Sequence, residues 1–146
     1  MLEVLHKETD LIECVDLCFE SHYENEQKLG VDPSRLAVYE TFKDCLGLVL
    51  KSKDCGIIEG CLFIDTNYKP WFSTDTQYAI AFIYLKPEYR NYKNFSILIK
   101  AAKDIAKQNK MSLVAGAYSG VNTEKIGNLL ERKDFELIEK VYLYNG

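Results

Sequence analysis

The residues best placed to act together in this chain lie in one run. Tyr84-Leu85-Lys86-Pro87-Glu88-Tyr89-Arg90 is followed by Asn91-Tyr92-Lys93-Asn94-Phe95 and then by helix-periodic sequence. Ala79 to Leu85 is apolar and reads as a strand, Pro87 turns the chain, and an amphipathic helix is expected from about Phe95 to Asn109. A strand–loop–helix junction directs loop N–H groups and the positive end of a helix dipole at one spot, which suits an anion such as a pyrophosphate. Arg90 and Lys93 add positive charge at that spot, in a chain whose net charge is −4.

Other groups are less organised. Glu20, His22 and Glu24 fall at or just past the end of the expected first helix, with Glu20 and Glu24 on one face at i, i+4; a solvated acidic face accounts for them equally well. Tyr118 closes a strand and can lie with its hydroxyl in water, while Asn122 reads as a helix N-cap. Tyr84, on the central strand, is expected to pack in the core. Tyr68, Trp71 and Phe72 sit in a long connection, Thr66 to Thr76, and an aromatic loop of that length is more often functional than idle. Trp71 with Tyr68 could wall a site for a cation, although a hydrophobic cover is the plainer role. Of the five cysteines, Cys14 and Cys18 are one helical turn apart. With only His6 and His22 beside them, no zinc-finger spacing arises. The cysteines read as reduced and structural.

The positioning elements follow from periodicity. Leu2 to His6 reads as a short strand. A helix capped at Thr9-Asp10 is expected through about Tyr23, and a second one opens at Asp32-Pro33 and runs to about Cys45. Strands are expected over Leu46–Lys51, Gly56–Asp65 and Gln77–Leu85. The last of these is apolar on both alternating faces, as a doubly covered central strand requires. After the helix ending near Asn109 come a strand over Met111–Ala117, a helix capped by Asn122-Thr123 and reaching Lys133, and a strand over Phe135–Tyr144. The order β-α-α-β-β-β-α-β-α-β predicts a single α/β (α+β) domain over residues 1–146, with a mixed, mostly antiparallel sheet and helices on both faces. The 146 residues are 47% apolar and 27% charged, enough to bury roughly 70% of the unfolded surface in one soluble domain. No apolar run reaches the ~18 residues that span a bilayer and no signal-peptide pattern opens the sequence, so a cytoplasmic protein without membrane contact is expected. The acidic balance argues against general nucleic-acid binding.

That element order, with Leu-x-Pro-x-Tyr-Arg at the junction, resembles the GNAT superfamily of acyl-CoA-dependent N-acyltransferases. The likeness at residue level is concentrated in Ile83–Ala106 and is weaker in Asn122–Leu137. The resemblance implies transfer of an acetyl group from acetyl-CoA to the primary amine of a small molecule or protein by direct attack. A protein that keeps the fold and binds or regulates without transfer is the alternative. It implies that the pantetheine lies against the strand backbone at Ile83, Tyr84 and Leu85, and that the pyrophosphate is held at Arg90, Asn91, Tyr92, Lys93, Asn94 and Phe95. The family's loop reads (Arg/Gln)-x-x-Gly-x-(Gly/Ala). Arg90 matches its first position, whereas the two small positions fall on Lys93 and Phe95. The family's second motif, Leu-Tyr-x-x-x-Gly-Phe, aligns with Leu129 to Phe135. Its tyrosine falls on Leu130 and its glycine on Asp134, a residue that tolerates a left-handed helix C-cap. Tyr118 is then the candidate acid for the leaving thiolate, Asn122 lies near the family's usual Asn, and Glu20 is the candidate base. The final strand could pair across a homodimer or form an internal edge.

Overall fold

The structure is a computed structural model that describes residues 1–25, 31–116, 123–139, 142 and 144. Five strands form one sheet in the order β1-β2-β3-β4-β5: β1 (Leu2–Val4), β2 (Leu46–Lys51), β3 (Ile58–Tyr68), β4 (Gln77–Leu85) and β5 (Leu113–Ala115). The first four pair antiparallel, and β5 pairs parallel to β4 through Tyr78–Leu113, Ala79–Val114 and Ile80–Ala115. β2 and β4 have the predicted bounds.

Helices cover both faces, as expected for strands as apolar as β2 to β4. On one face α1 (Glu8–Asn25) and α2 (Arg35–Asp44) join Val49, Cys61, Phe63, Phe82 and Tyr84 in a buried cluster. On the other, α3 (Tyr92–Gln108) and α4 (Thr123–Glu131) enclose Leu48, Leu50, Leu62, Ile64 and Leu85. Among the described residues, no helix is long and apolar enough to cross a membrane.

Several boundaries move for local reasons. α1 opens at Glu8, with Leu11 N–H bonded to the Lys7 carbonyl; the Asp10 carboxylate, predicted to cap it, instead takes the buried Lys51 ammonium at 2.8 Å. Ser34, and not Asp32, caps α2, its hydroxyl accepting from Ala37 N–H at 3.3 Å. The four cysteines Cys14, Cys18, Cys45 and Cys61 are wholly or partly buried and reduced, and burial pushes the Cys18 and Cys45 thiols up to about 11. The strand predicted over Phe135–Tyr144 is not formed at residues 135–139, 142 and 144. Leu137, Ile138, Tyr142 and Tyr144 are exposed there; β-propensity alone makes no strand without a neighbouring ladder.

Register within the sheet sets up the site. Phe63 pairs with Phe82 and Ile64 with Ile80, which leaves Ala81 as an extra residue in β4. Such a bulge reverses the side-chain alternation beyond it. Ile80 therefore packs with the α3 face while Phe82 and Tyr84 pack with the α1 face. At the C-terminal end of β4, Gly60 lies opposite Leu85. A Cβ on Gly60 would come within 2.6 Å of Leu85 Cδ2 and 2.7 Å of the Tyr84 carbonyl oxygen. Gly60→Ala should therefore lower unfolding stability by about 1–3 kcal/mol, measured by denaturant titration, because β3 and β4 must separate to admit the methyl group.

Candidate active site

The junction after β4 is rigid without glycines. Pro87–Tyr89 forms a single 3-10 turn, with Tyr89 N–H bonded to Lys86 O at 2.9 Å and Arg90 N–H to Pro87 O at 3.3 Å. Asn91 then caps α3. Its side-chain oxygen accepts from Asn94 N–H at 2.8 Å, its carbonyl accepts from Phe95 N–H at 3.1 Å, and Asn94 Nδ2 donates to Tyr89 O at 2.8 Å. The helix thus starts three residues before the predicted Phe95, drawn forward by that cap. Of the predicted donors, Asn94 and Phe95 use their N–H groups inside the cap. Those of Asn91, Tyr92 and Lys93 have no acceptor among the described residues. These three are the open donors of the helix end, and they carry the positive end of its dipole.

Phe95 does not obstruct that opening. Its residue is 5% exposed and belongs to the buried cluster with Leu48, Leu62, Leu85 and Leu98, under the sheet. A phenyl ring at a position where the resembling loop has a small residue is accommodated because the position already lies one turn into the helix. Lys93 is exposed and lines a groove of about 390 Å³ with Lys53, Asn94 and Ile97, on the β1–β2 flank of α3.

Beside the junction, the pairing of β4 on its β5 side ends early among the described residues. Parallel pairing with β5 stops at Ile80–Ala115, one residue before the bulge at Ala81. Ala81 is exposed and Ile83 half-buried in an otherwise buried strand end. Among the described residues, Ala81 to Leu85 have no strand partner on that side.

The opposite face carries a compact polar cluster. Tyr84 donates its hydroxyl hydrogen to Glu24 Oε2 at 2.8 Å, and Arg90 forks onto the same carboxylate, Nη1 to Oε1 at 2.5 Å and Nη2 to Oε2 at 3.1 Å. Arg90 also donates from Nε and Nη2 to the Leu85 carbonyl at 3.2 and 2.9 Å, and its guanidinium lies 5.5 Å from the Tyr84 ring centre. The Arg90 hydrogen bond holds the Glu24 carboxyl below its usual range, helped by the bond from Tyr84. Burial, and then the bond to Glu24, push the Tyr84 phenol well up, and Glu20 adds to the same negative field. Because the folded-state pKa of Glu24 is depressed, its stabilising effect is complete above the unfolded carboxyl pKa and is lost as pH falls through the folded value. Glu24→Gln should lower the melting temperature at pH 7 and converge with the wild type in thermal unfolding as pH falls through the lowered Glu24 pKa.

Predicted residues are therefore brought together selectively. Arg90 and Tyr84 meet, but they do so on Glu24, one turn beyond the candidate base Glu20, which is exposed. Tyr118 and Asn122 lie outside the described residues. Trp71 is 96% exposed, pairs edge-on with Phe72, and sits beyond the N-terminal end of β4, away from the junction. Leu130 is buried on α4, as a leucine requires. Asp134 adopts φ 67° and Phe135 N–H closes back to Leu130 O at 3.1 Å, the left-handed C-cap expected there. One neighbour of the junction had no signal in the sequence: Lys133 Nζ lies 4.8 Å over the Tyr92 ring and draws the Tyr92 phenol down. Only the packing of α4 beside α3 brings that cation to the Tyr92 ring.

Solved acetyltransferase structures share this fold. The structure superposes on a predicted acetyltransferase with acetyl-CoA from Clostridium acetobutylicum, with a TM-score of 0.72, at 12% identity over 99% of this chain and 96% of the other. A ribosomal-protein-alanine N-acetyltransferase from Brucella melitensis biovar Abortus 2308 gives 0.69 at 16% identity, covering 99% and 96%. An aminoglycoside antibiotic 6'-N-acetyltransferase from Acinetobacter haemolyticus gives 0.63 at 19% identity, again over 99% and 96%. The chain thus has the GNAT fold along its length. No protein-family model matches the sequence, and no curated protein does.

Proposed function

We propose that the protein is an N-acyltransferase that moves an acetyl group from acetyl-CoA to a primary amine. The observation that carries this reading is the pairing of two features at one end of β4: among the described residues, the edge from Ala81 to Leu85 has no strand partner on its β5 side, and the N–H groups of Asn91, Tyr92 and Lys93 at the start of α3 have no acceptor. An extended amide chain pairs with the first as a strand would, and a diphosphate fits the second.

Transfer proceeds by attack of a neutral amine on the thioester carbonyl, formation of the N–C bond, and breaking of the C–S bond as the thiolate leaves and takes up a proton. The bulged backbone at Ala81 and its neighbours supplies N–H donors for the developing oxyanion. The amine proton passes to the carboxylates at the end of α1, Glu20 or Glu24, directly or through water. Tyr118 is the candidate for protonating the thiolate and Asn122 for ordering the same region, both on sequence grounds. With a thiol pKa near 8.5, the thiolate is a fair leaving group even where Leu130 replaces the family's tyrosine.

Thermal unfolding with acetyl-CoA and CoA tests the reading. Ligand at ~100 times its Kd should add about 2.7 kcal/mol of stability. No shift at millimolar concentration would remove the proposal. A second reading, a protein that binds acetyl-CoA without transfer, is favoured by the burial of the apolar Leu130 at the acid's position. Thermal stabilisation without release of free thiol in the presence of primary amines would establish it.

A further inference from the structure

Glu24 and Arg90 occupy each other across the site in a way that joins its two sides. Arg90 immediately precedes Asn91, the first of the open amides, yet its guanidinium is turned to the α1 face, onto Glu24 and the Leu85 carbonyl. Its side chain is 38% exposed and that of Glu24 27%, so each can be reached from solvent. Glu24 is held on its other side by the Tyr84 hydroxyl, and the bulge at Ala81 is what aims Tyr84 there.

We infer that this pair is an exchange device and that Glu24 is the residue selecting a cationic acceptor. A diphosphate at Asn91–Lys93 draws Arg90 away from Glu24 and the Leu85 carbonyl, and the vacated carboxylate then takes the ammonium of the incoming amine. The inference rests on the acyl-CoA reading above. Its physical basis is competition for shared partners. Arg90 presents one planar fork, which matches a phosphate as well as a carboxylate. Glu24 without Arg90 is an unpaired carboxylate beside a second one, Glu20, and a cation relieves that imbalance. Leu85, freed at the same moment, regains the carbonyl that a strand-like ligand on β4 needs. Because binding at either side removes a competitor at the other, the two sites are positively linked, and the linkage is reciprocal. Tyr84 is a positioning residue: it keeps the carboxylate in place after Arg90 leaves.

The test is CoA binding by titration calorimetry on the whole chain. Glu24→Gln keeps the shape of the side chain and its bond from Tyr84 but releases Arg90, so CoA should bind about five-fold more tightly than to the wild type, the low end of typical site-to-site coupling. Arg90→Lys retains the charge for the diphosphate and loses the fork on Glu24, so its affinity should equal or exceed the wild type even if Glu24→Gln folds poorly. In an Arg90→Gln background, Glu24→Gln should have no further effect on CoA affinity. A lower melting temperature is expected on either account; a purely structural clamp predicts CoA affinity unchanged or weaker in Glu24→Gln, which would overturn the inference. Spermidine should bind the wild type at least about five-fold more tightly with CoA present than without; equal affinities, or no binding in either state, would also overturn it. Wild-type protein that fails to bind CoA at all would remove the acyl-CoA reading itself, a result distinct from either.

Discussion

Arg90→Glu is expected to weaken CoA binding at least about 100-fold, or roughly 2.7 kcal/mol. Arg90 adjoins the open amides of Asn91, Tyr92 and Lys93. Replacing its guanidinium with a carboxylate removes a forked donor and places a third negative group beside Glu24 and Glu20, facing the path of a diphosphate. Reversal of charge acts on the ligand through a partly dry site, where it counts for more than on open surface. The protein should still fold, because Glu24 keeps its hydrogen bond from Tyr84. Titration calorimetry with CoA is the direct measurement; an affinity within about three-fold of the wild type would exclude Arg90 from the anion site.

Phe63→Ala should bring the largest loss of stability, about 3–5 kcal/mol and on the order of 10 °C in melting temperature. Phe63 is fully buried on β3 and stacks on Phe42 of α2, with ring centres 3.9 Å apart and planes at 6°. Phe42 in turn meets Phe82 at 5.5 Å, and Phe82 meets Tyr84 at 6.2 Å. This row of rings joins the helical layer to the strand that carries Tyr84, so a void at Phe63 loosens the support under the Tyr84–Glu24–Arg90 cluster as well as the core. Phe63→Leu, which refills most of the void, should recover much of the loss in denaturant titration. A loss under 1 kcal/mol for the alanine variant would mean that the layer collapses freely onto the gap.

Much of the fold is legible because its signals are local. The bounds of β2 and β4 follow from runs of apolar residues that only a doubly covered strand tolerates. The left-handed Asp134 follows from the sparing of Asp among non-glycine residues at helix C-caps. Helix starts are less legible where several polar residues compete to cap. Asn91 sits in a run that reads as loop and caps α3, whereas Asp10 has the sequence context of a cap and is the partner of buried Lys51. In each case the choice depends on a group far along the chain or on the loop's path, and neither is written in the neighbouring residues. The predicted strand beyond Phe135 is absent at its described positions for a related reason: a segment rich in Val, Leu and Tyr expresses a propensity, and a ladder partner decides whether it is used.

The candidate site divides along the same line. The sequence by itself determined that a strand, a proline turn and an amphipathic helix meet near Arg90, since periodicity and proline stereochemistry act over a few residues. It also determined that carboxylates end the first helix. Only the tertiary structure decided which way these groups face. One unpaired residue at Ala81 reverses the alternation of β4 and turns Tyr84 from the α3 side to the α1 side. Helix packing then delivers Glu24 to Tyr84 and Arg90 across 60 and 66 residues of chain, and sets Lys133 beside Tyr92. A bulge and an interlayer contact arise from pairing between distant segments, so no reading of the chain one residue after another contains them.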